Sequence, residues 1–61
     1  MVEIGNYAFN KSIILMVEKS VAYSGMPMIR IFAEGFNERY VYYDTEHERD
    51  KDYERIINEL L

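Results

Sequence analysis

Hydrophobic positions change period along the chain. Toward the C-terminus they recur at three- and four-residue spacing, as Tyr53, Ile56, Ile57, Leu60 and Leu61. That is the period of one face of an α-helix. Just ahead, Thr45-Glu46-His47-Glu48 fits a capping box, with Thr45 as N-cap and Glu48 reaching back from the third helical position. Asp44 is an alternative cap one residue earlier. Acids crowd the first turn, where they favour the positive end of the helix dipole. No glycine or proline interrupts residues 45–61, so the pattern predicts a helix there.

Upstream the pattern is that of strands. Arg39-Tyr40-Val41-Tyr42-Tyr43 and Met28-Ile29-Arg30-Ile31-Phe32-Ala33-Glu34 are rich in aromatic and β-branched residues. Between them, Gly35-Phe36-Asn37-Glu38 supplies residues suited to a hairpin turn. Ile13–Glu18 is a third strand segment, and Val2–Phe9, interrupted by Gly5 and Asn6, is a fourth. Asn10-Lys11-Ser12 is expected to turn the first pair. Ser24-Gly25-Met26-Pro27 breaks the chain before the third strand, and Pro27 falls at its start, where a missing N–H is tolerated. Residues 19–23 either extend the second strand or loop out. The expectation is an α+β domain of two layers: a four-stranded antiparallel meander followed by one C-terminal amphipathic helix, ββββα.

Side chains alternate across a strand, so each sheet face can be written down. The apolar set Ile13, Leu15, Val17, Ile29, Ile31, Ala33, Val41 and Tyr43 is expected to meet the helix. The opposite face then holds Ile14, Met16, Arg30, Phe32, Tyr40 and Tyr42. One helix cannot cover both faces, and a contiguous apolar patch is uncommon on a soluble monomer. Tyrosine, phenylalanine, methionine and arginine are also the types enriched at interfaces. Three outcomes stay open: closure into a barrel or folding of the first strand over this face, packing of a homodimer, or a heterologous partner or ligand. A one-residue slip of register would exchange the faces.

Length sharpens the question of partners. A 61-residue chain forms a single domain, residues 1–61, with a marginal core. Small domains often supplement such a core with disulfides, a metal or another subunit. Cysteine is absent, which excludes disulfides and thiolate chemistry. The formal net charge is −4, and the excess of acids falls entirely within residues 38–61. No basic n-region or long apolar run is present, so no secretory signal or membrane span is expected. Asn10-Lys11-Ser12 matches a glycosylation sequon, but turn chemistry is the simpler expectation for it. A cytoplasmic protein is the default.

Candidate chemistry is sparse. His47, the single histidine, lies at the helix start without the second histidine of a zincin motif. Glu46, Asp50 and Glu54 stand four apart on one helix edge. Such carboxylates could act as acid and base or hold a cation, but a solvated face is simpler. The pairs Glu46–Arg49, Glu48–Lys51 and Asp52–Arg55 would offset their repulsion. The same acidic edge could steer a basic partner. Arg30, Phe32, Tyr40 and Tyr42 could stack single-stranded nucleic acid, although an acidic chain suits phosphate contacts poorly. Three separated glycines form no phosphate loop, and three serines have no triad partner. Neither an enzyme nor a cofactor is expected. The leading expectation is a small acidic interaction module, a regulator or inhibitor, homodimeric through the sheet face (Met16, Arg30, Phe32, Tyr40, Tyr42), with Glu46, Asp50 and Glu54 facing an unidentified protein with a basic surface. Nucleic-acid binding on the aromatic face and a structural subunit of a larger assembly are the alternatives.

Overall fold

Helix and strands meet in a computed structural model that describes all of Met1–Leu61. The chain runs β1 (Val2–Ile4), β2 (Tyr7–Phe9), a 3-10 turn (Lys11–Ile13), β3 (Ile14–Val21), β4 (Pro27–Ala33), β5 (Arg39–Tyr42) and α1 (Glu46–Leu60). The class is α+β with antiparallel strands and one C-terminal helix. The single four-stranded meander is not what forms. Strands β1 and β2 make a two-stranded sheet, and β3-β4-β5 make a separate three-stranded one.

The difference begins at Gly5. Its φ of 59° lies in the left-handed region that glycine enters without steric cost. The segment Val2–Phe9 therefore folds back on itself, pairing Val2 with Phe9 and Ile4 with Tyr7. Asn10 then opens the 3-10 turn, where its side-chain oxygen accepts bonds from the Ser12 backbone N–H and hydroxyl at 3.1 and 3.0 Å. The tripeptide thus does turn chemistry, but it redirects the chain into the second sheet rather than closing a hairpin with it.

In that sheet, Val17 pairs with Ile31, Lys19 with Ile29, and Ile29 with Val41. The register shifts between Ile14 and Met16, and this bulge leaves Leu15 68% exposed. A bulge adds one residue to one strand and so inverts the alternation beyond it. Two expectations are corrected as a result. Leu15 is not in the core, and Ile14 leaves the open face: paired with Ala33, it packs against the core with Ile13.

The core unites Val2, Ile4 and Phe9 of the hairpin, Val17, Ile29, Ile31 and Ala33 of the sheet, and Ile56 of the helix. Hairpin and helix therefore cover the same face of the three-stranded sheet. The first segment does not fold over the other face, and the sheet does not close into a barrel. It keeps β3 and β5 as its two edges.

The helix is held at several points. Thr45 Oγ1 accepts from the Glu48 N–H at 3.1 Å, the N-cap half of the capping box. Arg49 turns inward and is buried, donating from Nη1 to the Ser20 carbonyl at 2.9 Å and from Nε to Asp50 at 3.0 Å. Arg55 donates to Asp52 at 2.8 Å, to Glu59 at 2.5 Å and to the Glu3 carbonyl at 2.7 Å. Of the three expected i,i+3 pairs, Asp52–Arg55 forms. Arg49 is engaged with Ser20 and Asp50 instead of Glu46. No helix is long and apolar enough to cross a membrane.

Candidate interaction site

Register decides what the uncovered face displays. Met16 opposes Phe32, Glu18 opposes Arg30 and Ser20 opposes Met28. Across the other side of β4, Arg30 opposes Tyr40 and Met28 opposes Tyr42. Met16, Arg30, Phe32, Tyr40 and Tyr42, the five sheet residues singled out by alternation, thus share one face. Met16, Tyr40 and Tyr42 are exposed there, Tyr42 by 54%. Arg30 and Phe32 are half-buried.

Arg30 occupies the middle of this face on the central strand. Its Nη2 donates to Glu18, and its guanidinium carbon lies 5.3 Å from the Phe32 ring centroid. The bond to Glu18 pushes the Arg30 pKa upward. Its Nε is buried without an acceptor. Tyr40 donates to Glu38 at 2.5 Å, which raises the phenol pKa. The one cation on the face is therefore already paired. No net positive charge faces outward to attract a phosphate backbone.

A shallow groove of about 410 Å³ opens at the hairpin end of this face, lined in part by Val21, Ala22, Tyr23, Met28 and Tyr42. Met28 is buried, while Val21, Tyr23 and Met26 around it are exposed apolar side chains. Tyr23 is fully exposed. Ala22 and Tyr23, which line the groove, extend this face beyond the expected five, whereas Val21, paired with Pro27, alternates onto the helix side with Val17 and Lys19. Val21 and Tyr23 fall within 19–23, the segment whose course the sequence leaves open, so the tip had no pattern to announce it.

Glu46, Asp50 and Glu54 lie on the helix, on the opposite side of the sheet. Glu46 and Glu54 are exposed, whereas Asp50 is half-buried. Asp50 binds Arg49 at 3.0 Å and lies 3.8 Å from Lys19 Nζ. The structure thus separates the eight candidate residues into a sheet surface of five and a helix edge of three. His47 is exposed, and no group of three histidine, aspartate or glutamate side chains is placed to hold a metal ion.

A second tyrosine site lies at the β5 edge, where Gly5, Asn6 and Tyr7 of the first hairpin border Tyr40, Val41 and Tyr42. The turn packs closely enough that a Cβ on Gly5 would sit 2.8 Å from Val41 Cγ1. It partly shields that edge. The other edge, β3, is interrupted by the Leu15 bulge and carries Lys19. Bulges and lysines blunt exposed edges against further strand pairing.

Compared with known proteins, the chain matches no family model, no curated protein and no solved structure at a significant level.

Proposed function

We propose that this chain is a non-enzymatic protein-interaction module that self-associates through the open face of its three-stranded sheet. One observation carries the reading: hairpin and helix pack on the same side of the sheet, which leaves Met16, Phe32, Tyr40 and Tyr42 without cover around the Glu18–Arg30 pair. Another subunit is one of the usual supplements to the small core of a domain this size. Charge also favours a second copy as occupant. The excess of four acids lies within residues 44–61, on the helix side, and the sheet face is close to neutral. Two copies meeting through their sheets keep both acidic helices outside. There the helices are free to steer a basic protein toward the assembly, the route by which the module would regulate or inhibit.

Light scattering coupled to size-exclusion chromatography tests this reading. The wild-type chain should shift from monomer to dimer mass as concentration rises toward about 1 mM, the weak end of specific association. Replacing Met16 and Tyr42 together with alanine should keep it monomeric with an unchanged circular-dichroism spectrum. A wild-type chain that stays monomeric throughout overturns the proposal. So does a double variant that still dimerises.

A further inference from the structure

We propose that Tyr23 is a reciprocal anchor, seating in the hairpin-end groove of a second copy. The proposal rests on the self-association reading and specifies its geometry. Three strands about 4.8 Å apart, with residues rising about 3.3 Å each, give the eight-residue β3 and its neighbours a face of roughly 400 Å² in projection. A standard interface buries about 800 Å² per partner. The strands alone fall short. The hairpin tip supplies the missing surface, because Tyr23 is exposed there and borders one groove with Ala22, Met28 and Tyr42.

Tyr23 is the most exposed large side chain of the molecule. It stands at the rim of a groove of about 410 Å³ that it lines together with buried Met28. An aromatic knob beside a groove with an apolar side and a polar side suits a tyrosine, and the pair is self-complementary under two-fold symmetry, since each copy supplies both parts. With the symmetry axis along the strands, the two tips lie at the same end of the dimer. The partner subunit's Tyr23 then reaches the groove between Ala22 and Tyr42, while its hydroxyl faces the polar side formed by Ser20 and Arg30. Large aromatics in desolvated pockets are the usual centres of binding energy.

Sedimentation equilibrium on wild type and on Tyr23→Ser tests the anchor. The variant should weaken dimerisation by about tenfold or more and leave the melting temperature of the dilute monomer unchanged, since Tyr23 is fully exposed in the single chain. Photo-crosslinking with Tyr23→p-benzoylphenylalanine should yield a covalent dimer joined at residues 20–30 or 40–42. If wild type dimerises and Tyr23→Ser does so equally well, the anchor is wrong and self-association stands. Crosslinks that map to the helix also overturn the anchor. A wild-type chain that never dimerises removes both readings.

Discussion

At Gly5 the chain has room for a hydrogen and little else. Its φ is 59°, and an added Cβ would come within 2.8 and 3.0 Å of the two Val41 methyls. Gly5→Ala therefore meets two costs, a left-handed backbone of about 1 kcal/mol and displacement of Val41. Gly25 has a φ of 89° but open space around it, so Gly25→Ala meets the backbone cost alone. Urea denaturation should show Gly5→Ala to be the less stable by about 1 kcal/mol or more. Equal losses would mean that the first turn does not press on β5. A second contrast probes the bulge. Leu15→Lys should change stability by no more than about 0.5 kcal/mol, as exposed positions do. Val17→Lys, two residues on and buried, should unfold the chain by placing an unpaired charge in the core. If both substitutions unfold it, Leu15 is core and the alternation runs unbroken.

Between elements, the contact with the clearest pH signature joins Tyr43, after β5, to the helix. Its hydroxyl donates to Asp52, which also accepts from Arg55 at 2.8 Å. Burial and the bond to Asp52 push the Tyr43 pKa far above its ordinary 10.0. At Asp52 burial acts upward, but the bonds from Arg55 and Tyr43 outweigh it and hold the carboxyl below its ordinary 3.8. The two groups limit stability at opposite ends. The Asp52 contribution is complete above about pH 4 and is lost as pH falls through its lower folded value. The Tyr43 contribution is complete below about pH 10 and is lost as pH rises toward its higher folded value. Tyr43→Phe should lose about 1 kcal/mol at pH 7 and flatten the fall in melting temperature above pH 10. An alkaline limb as steep as wild type would place its origin in other tyrosines. The elements most legible in the sequence were those with a strong local signal. Thr45 and the Ile56–Leu60 spacing announce the helix, and alternation through Arg30–Phe32 and Tyr40–Tyr42 assembles the open face correctly. The first hairpin was not legible, because three-residue strands have too few positions to show a period and are held by Val2, Ile4 and Phe9 in the tertiary core. The bulge at Leu15 has no glycine to mark it. Arg49 gave no sign of turning inward, since its partner is a backbone carbonyl on β3.

For the whole molecule, salt separates the ways in which the open face could be used. Each copy carries a net charge of −4, concentrated on the helix, and the domain is 17 Å through its thinnest direction. Sheet-to-sheet packing would hold the two helices apart by roughly 30 Å, three interlayer spacings of about 10 Å each. The Debye length is about 30 Å at 0.01 M salt and about 10 Å at 0.1 M. Mutual repulsion therefore acts across the dimer in dilute buffer and is screened at ordinary ionic strength. Self-association should strengthen as salt rises from about 0.01 to 0.1 M and change little beyond that. Binding of a single-stranded nucleic acid to the same aromatics would follow the opposite course, weakening steadily with salt as counterions compete for phosphate. Sedimentation of the chain alone, and fluorescence titration with a short oligonucleotide, across the same salt series distinguish the two. Dimerisation that weakens as salt is raised would mean that opposite charges meet at the interface. In that case either the acidic helix of one copy would be in contact with the other, or Glu18 and Arg30 would exchange partners across the two sheets.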